Sequence, residues 1–321
     1  MTSDPAQLVN RLRSGDQRAL ARAISIVEDR LPAAKEVLRL VYPTAGRAPT
    51  IGITGPPGAG KSTLVDALAV IYRAAGRKVG VIAVDPSSAF SGGAVLGDRI
   101  RMQRHSGDAG VFIRSMATRG HFGGLAGGAV DVADLLDAAG CEVVLLETVG
   151  VGQDEVDVVR VADVVLVVLV PGLGDDIQTI KAGIMEIADI FVLNKADRDG
   201  IERLHTEVRS MLSLNEDPDR MPPEIMRTTA TSAEGVGELH EAIERFLRGA
   251  TQGALSERRR QRSRQRLADL LRERILQWAS GPDAHDTFDQ MVEEVALRRK
   301  DPYTAADEIL QRFAVPQGSR P

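Results

Sequence analysis

Lys61 and Ser62, which follow a run of glycines, are the side chains of this 321-residue chain most clearly suited to holding an anion. The stretch from Gly52 to Leu68 reads Gly-Ile-Thr-Gly-Pro-Pro-Gly-Ala-Gly-Lys-Ser-Thr-Leu-Val-Asp-Ala-Leu. Within it, Gly55, Gly60, Lys61 and Ser62 fill the G-x-x-x-x-G-K-S/T spacing of a phosphate-binding loop. Glycines let backbone N–H groups turn inward around an anion, and the start of a helix adds partial positive charge. A lysine here neutralises the outer phosphates of a nucleotide, and the serine hydroxyl ligates Mg²⁺. The alternative is a Gly/Pro-rich turn with an unrelated lysine. It would need the spacing and the surrounding strand–loop–helix pattern to coincide by chance. Gly55, Pro57, Gly58, Ala59, Gly60, Lys61, Ser62 and Thr63 are therefore assigned to the nucleotide, with Lys61 also acting on the reacting phosphate.

Further constellations fall where apolar runs end. Asn194-Lys195-Ala196-Asp197 fits N-K-x-D, in which a carboxylate accepts from guanine N1–H and the 2-amino group, a pair that adenine does not offer. Asn194 steadies that loop, and the stem of Lys195 lies along the base. Thr231-Ser232-Ala233 fits a second base-contacting loop, so Ser232 and Ala233 join the site. Glu147-Thr148-Val149-Gly150 has the form acid-x-x-Gly: Glu147 polarises a metal-bound water and the Gly150 amide meets the γ-phosphate. Many GTPases have Asp at the first position, and many small ones carry a water-orienting Gln directly after the Gly. Here that next residue is Val151, with Gln153 two further on, which predicts slow hydrolysis unless something is supplied from outside or by loop closure.

Two more carboxylates, Asp85 and Asp98, can reach the Mg²⁺ shell or be plain loop acids. Arg114 to Gly128 is a glycine-rich loop in which His121 reads as a structural group rather than a catalytic base. Asp175, Asp176, Gln178 and Lys181 form a polar stretch after Pro171-Gly172. It can move into a nucleotide site, with Lys181 stabilising charge, or simply start a helix capped by Asp175 or Asp176.

The elements that must position these groups are legible as patterns. Apolar runs at Thr50–Thr54, Val79–Val84, Val111–Arg114, Val143–Glu147, Val164–Val170, Ile190–Leu193 and Ile225–Thr228 alternate with helical periodicities. Several are continuous Val/Ile runs, as strands covered on both faces require. The expectation is an α/β fold with a mainly parallel sheet flanked by helices, ligands lying at the carboxyl ends of strands. Residues 1–46 read as a helical prefix, with Leu8, Leu12, Leu20, Ala23, Ile24 and Val27 on one stripe. Residues 47–250 read as the nucleotide-binding domain and 251–321 as a helical arm suited to dimerisation. The arginine-rich run at 258–266 reads as a solvated helix face rather than a nucleic-acid or membrane patch.

Composition narrows the classes. With 43% hydrophobic and 26% charged residues the chain can bury a large core, and a net charge of −5 argues against nucleic acid as a partner. A single cysteine, Cys141, excludes internal disulfides and reads as a buried core thiol in a reducing compartment. The start of the chain shows no signal-peptide pattern, and the longest apolar run is too short to span a bilayer. A cytoplasmic protein without membrane partners is expected.

Taken together, the chain resembles the methylmalonyl-CoA-mutase-associated GTPases (the MeaB/ArgK family, in the SIMIBI class of P-loop proteins). The resemblance is carried by Gly15-to-Ile24, Gly52-to-Leu68, Ala83-to-Ser88, Gly97-to-Met102, Arg114-to-Leu125, Glu147-to-Gln153 and Asn194-to-Asp197. It covers about residues 8 to 250, and more loosely the arm. It implies a Mg²⁺-dependent GTPase that binds GTP and GDP, works as a homodimer, and acts as a chaperone of the adenosylcobalamin-dependent mutase. In that role it gates cofactor delivery and protects or reactivates the enzyme. The resemblance also implies that the mutase stimulates hydrolysis through a mobile loop matching Asp175, Gln178 and Lys181, and that Glu147 fits the family pattern. No Asp-x-His-x-x-Gly cobalamin pattern occurs, so the partner would handle the cofactor. Two other classes compete. A nickel metallochaperone GTPase needs His- or Cys-rich motifs, whereas this chain has five scattered histidines and one cysteine. A P-loop kinase needs an acceptor pocket with a base, for which only the Asp98 to His121 region offers candidates.

Overall fold

The structure, a computed structural model, describes residues 4–85, 103–105, 107–117, 124–148, 158–172, 187–214, 222–249, 252–279, 281 and 285–314. They divide into two compact units, Met1–Arg262 and Ser263–Pro321.

The first unit is built on a seven-stranded sheet. Its strands are β1 (Thr50–Thr54), β2 (Val79–Asp85), β3 (Val111–Ala117), β4 (Val143–Glu147), β5 (Val164–Leu169), β6 (Ile190–Asn194) and β7 (Glu224–Thr228). They lie in the order β3-β2-β4-β1-β5-β6-β7, every neighbouring pair parallel. The expected strands are all present, several one to three residues longer than the apolar runs that announced them. β1, β4, β5 and β6 are buried along their whole length, which accounts for runs such as Val-Val-Leu-Val-Val-Leu without alternation.

Among the described residues, ten α-helices follow one another along the chain: α1 (Pro5–Arg13), α2 (Gln17–Glu28), α3 (Ala34–Val41), α4 (Lys61–Ala74), α5 (Gly124–Ala138), α6 (Ile201–Leu214), α7 (Val236–Gly249), α8 (Gln252–Ala279), α9 (His285–Ala296) and α10 (Pro302–Ala314). The break between α1 and α2 follows from two residues. Gly15 takes φ of +88°, and the Asp16 carboxylate accepts the Arg18 and Ala19 N–H groups as an N-cap. The expected prefix stripe, Leu8 through Val27, is buried on one sheet face with Leu135, Leu136, Val144, Leu146, Phe191 and Leu204. On the opposite face Leu64, Val65, Leu68 and Tyr72 of α4 and Leu239 and Ile243 of α7 pack on Ile51, Ile53, Val81, Leu145 and Leu166. Each such side chain contributes roughly 1.5–3 kcal/mol relative to exposure. Cys141 is buried as expected, and burial pushes its thiol up to about 12.

The arginine run departs from expectation. Arg258, at the start of α8, donates to both oxygens of Asp189, at 2.7 and 2.9 Å. Arg262 donates to Asp163 and, at 2.6 Å, to the Val161 carbonyl; Arg259 reaches Asp163 at 3.3 Å. Both carboxylates are buried. Each also accepts a strand-start amide: Thr50 N–H on Asp163 and Val165 N–H on Asp189, both at 2.9 Å. Three arginines read as solvated are therefore counter-charges for carboxylates that cap the amino ends of β1 and β5. Charge pattern alone could not reveal partners that lie 69 to 99 residues earlier.

In the second unit, Trp278 meets Phe313 edge-on with ring centroids 5.3 Å apart, Lys300 pairs with Glu308 at 2.7 Å, and Arg312 donates to Thr287 Oγ1 at 2.6 Å. Leu267, Leu270, Leu271, Val292 and Tyr303 are exposed. Among the described residues no helix is long and apolar enough to cross a membrane.

The Asp163 network makes a stability prediction. Arg262→Met leaves that buried carboxylate with the Thr50 amide and the longer Arg259 contact, and is expected to lower the unfolding free energy by about 3 kcal/mol. Urea unfolding checks this, and a wild-type midpoint would mean that Asp163 does not depend on Arg262.

Candidate functional site

The carboxyl ends of β1, β4, β6 and β7 converge on the amino end of α4, as parallel strands with a common direction must. The loop between β1 and α4 owes its shape to glycines. Gly55 has φ of +138°, and a Cβ there would lie 2.2 Å from the Val168 carbonyl oxygen. Gly60 has φ of +89°, and a Cβ there would lie 2.4 Å from Asn194 Nδ2. Any L side chain is thus excluded at both positions by backbone conformation and by space. The result is a tight loop whose N–H groups and helix start are of the kind that cradles phosphates.

Lys61 is buried at the start of α4, and its ammonium donates to the Gly55 and Pro56 carbonyls at 2.8 and 3.0 Å. The cation is therefore already within the loop. Ser62 Oγ donates to Glu147 Oε1 at 2.6 Å, and both residues are buried. A hydroxyl and a carboxylate meeting at a helix start form a hard-oxygen donor set of the type Mg²⁺ takes. The residues present fit that ion. β4 lies beside β1, with Ile53 in register with Glu147, which is why a residue 85 positions after Ser62 can touch it.

Asn194, the last residue of β6, joins three segments. Its Nδ2 donates to the Ala59 carbonyl at 2.8 Å, and its Oδ1 accepts from Thr228 Oγ1 and Ala230 N–H, both at 3.1 Å. Lys195, at φ of +57°, sends its ammonium to the Gly58 carbonyl at 2.7 Å. The Ala196 N–H donates to the Thr228 carbonyl at 3.0 Å, fastening this loop to the end of β7. Asp197, Ser232 and Ala233 are exposed just beyond those anchors, Ala233 with φ of +59°. The Ser232 N–H and hydroxyl both donate to the Thr229 carbonyl, so the turn itself uses that residue's donors.

The structure brings together the phosphate loop, Lys61, Ser62, Glu147, Asn194 and Lys195. Asp85 ends β2 in register with Ala117, two residues past Ala83, the partner of Glu147. Asp98, Gly150, Asp175, Gln178 and Lys181 lie outside the described residues. The sequence reading missed Thr54, Thr148 and Thr228, whose buried hydroxyls bond across strand ends.

Comparison with known proteins agrees with this geometry. Residues 20–283 match the model of a family described as methylmalonyl-CoA mutase-associated GTPase MeaB. A Pyrococcus abyssi protein designated a GTPase is 50% identical over 313 residues, covering 96% of each chain. The Escherichia coli GTPase ArgK is 36% identical over 304 residues, covering 92% of this chain and 91% of its own. A crystal structure titled LAO/AO transport system kinase superposes with a TM-score of 0.72 at 30% identity, covering 98% of this chain and 99% of the other.

The glycine contacts separate two substitutions. Gly60→Ala meets both the φ barrier and Asn194, whereas Gly58→Ala, at φ of +75°, meets open space. Gly60→Ala is expected to weaken binding of a fluorescent GDP analogue by at least about 10-fold more than Gly58→Ala does. Equal losses would show that the Asn194 contact does not shape the loop.

Proposed function

The chain belongs to the family of methylmalonyl-CoA mutase-associated GTPases, and from that premise we propose that it is a GTP-hydrolysing chaperone of an adenosylcobalamin-dependent mutase. It gates loading of the cofactor and protects or reactivates the enzyme. The observation that carries the GTPase half is the junction at Asn194, which ties the loop for the phosphates to both loops suited to a guanine base. The mutase half rests on the family match across residues 20–283.

In this reading the phosphate-loop N–H groups and Lys61 hold the β- and γ-phosphates of GTP, with Gly150 on the γ-phosphate. Ser62 and Glu147 would hold Mg²⁺, with Asp85 and Asp98 as further carboxylates able to reach its shell. When bound, that ion would neutralise charge building on the phosphate oxygens. Asp197 accepts from the guanine edge, Asn194 and Lys195 brace it, and Ser232 and Ala233 close the other side. Attack by water lacks a glutamine at Val151, so turnover is slow alone. Asp175, Gln178 and Lys181 complete the site when the mutase docks, Lys181 adding positive charge where the transition state develops negative charge.

The protein acts as a homodimer through its helical arm. Supporting this, Leu267, Leu270 and Leu271 stand exposed at i, i+3 and i+4 on α8, an apolar stripe suited to a second helix.

Two measurements test the reading. GTP hydrolysis by the purified protein is expected to be slow alone and to rise about 10-fold or more with purified methylmalonyl-CoA mutase, as an activating partner does for such sites. Absent stimulation would sink the partner assignment, and ATP-dependent labelling of an acceptor would favour the transport-kinase title of the solved relative. Asp197→Ala is expected to reduce GTP preference over ATP and xanthosine triphosphate by about 10-fold or more, since a bidentate base contact is worth roughly 1–3 kcal/mol. Unchanged selectivity in competition binding would move base recognition elsewhere.

A further inference from the structure

Glu147 is gripped from one face of the sheet, and the residue after it from the other. Successive residues of a strand point to opposite faces. Glu147 shares its parity with Leu145 on β4, which packs in the layer of α4, and its carboxylate meets Ser62 on that helix. Thr148 has the parity of Val144 and Leu146, which pack in the opposite layer. There its Oγ1 donates to Thr54 Oγ1 at 2.9 Å, both residues being fully buried. The Thr148 N–H also donates to the Ile53 carbonyl at 3.1 Å, continuing the β1–β4 pairing one residue beyond Glu147. The two hydroxyls thus bridge the strand ends directly before Gly55 and directly after Glu147.

Two buried hydroxyls that only satisfy each other add little stability over two valines of the same shape, because replacing both partners by apolar groups is close to neutral. What hydroxyls supply and methyl groups do not is direction. An O–H···O bond sets the rotamers of both threonines and thereby the orientation of the peptide leaving Glu147. A glutamate side chain has enough rotatable bonds to miss Ser62 if its backbone turns. We propose that Thr54 and Thr148 are positioning residues of the GTPase site, whose hydroxyl pair holds the backbone after Glu147 so that its carboxylate stays aimed at Ser62 and at the divalent cation. The proposal rests on the reading of Ser62 and Glu147 as the holders of Mg²⁺. Neither threonine is assigned a contact with GTP.

The test uses full-length protein carrying Thr148→Val, Thr54→Val, both together, Thr148→Ser, and Glu147→Gln. Three readouts are taken: kcat and KM for GTP, the Mg²⁺ dependence of fluorescent GDP release in the absence of turnover, and the urea midpoint. Each single valine strands one hydroxyl and lowers the midpoint, whereas the double variant regains the wild-type midpoint. The double variant is nevertheless expected to lose about 10-fold in kcat with little change in KM, because the carboxylate is no longer aimed. It is also expected to need about 10-fold more Mg²⁺ to slow GDP release, the loss typical of a displaced support for a metal ligand. Thr148→Ser keeps the hydroxyl and wild-type values. A double variant with wild-type stability, kcat and Mg²⁺ dependence overturns the proposal. If the double variant does not fold, Thr54→Ala removes the acceptor without adding bulk, and a wild-type Mg²⁺ dependence there overturns it equally. Glu147→Gln separates the two levels. If it leaves the Mg²⁺ response untouched, the metal reading itself fails; if it abolishes the response while the threonine variants behave as wild type, only the positioning role fails.

Discussion

One carboxamide holds the site together. Asn194 offers two donors and one good acceptor oxygen. The structure uses them on the Ala59 carbonyl of the phosphate loop, the Thr228 hydroxyl at the end of β7, and the Ala230 N–H that begins the next turn. No shorter or charged side chain could replace it there, because one partner is an acceptor and the other two are donors. The amide is buried, so losing any one bond would strand a polar group in an apolar surround at a cost of about 1–3 kcal/mol. The loop suited to phosphates and the loops suited to a base therefore cannot move independently. Gly60 is the corresponding requirement on the other side, since only a residue without a Cβ leaves room for that amide.

The sheet beneath is apolar through its middle and polar at both ends, and the two ends solve different problems. At the carboxyl ends, hydroxyls and amides of Thr54, Thr148, Thr228 and Asn194 pair across neighbouring strands. That leaves the charged groups Lys61 and Glu147 at the amino end of α4, next to the glycine-rich loop. At the amino ends, Asp163 accepts the Thr50 amide that opens β1, Asp189 accepts the Val165 amide near the start of β5, and arginines of α8 neutralise both. Burying a carboxylate without a counter-charge is prohibitive, so the arginines are obligatory partners of those caps. One consequence is topological. The opening turns of α8 are bound into the first unit although they look, by composition, like the start of a separate arm.

The strands were legible because a parallel sheet covered on both faces demands continuous β-branched runs, and Val164–Leu169 is such a run. The phosphate loop was legible because its signal is local: glycines at positions of positive φ, then lysine and serine at a helix start. Asn194 and Lys195 were found for the same reason. The threonine pair and the arginine network were not legible. Their partners are separated by 94 residues for Thr54 and Thr148 and by 99 for Asp163 and Arg262. A lone threonine at a strand end carries no mark of what it will meet, and an arginine-rich helix reads the same whether its partner is water or a buried aspartate.

The sequence by itself determined that this chain is an α/β nucleotide-binding protein with a helical prefix and tail, because periodicity and glycine placement act over a few residues. It also singled out Lys61, Ser62, Glu147 and Asn194 as candidate site residues. Only the tertiary structure decided which of them touch. Ser62 meets Glu147 because β4 lies beside β1, and Asn194 reaches Ala59 because parallel pairing from β1 through β5 to β6 brings their carboxyl ends to the same end of the sheet. That order is set by how whole apolar faces pack under α4 and α7 on one side and the prefix helices on the other. The packing sums over the entire chain, and no single stretch of residues encodes it.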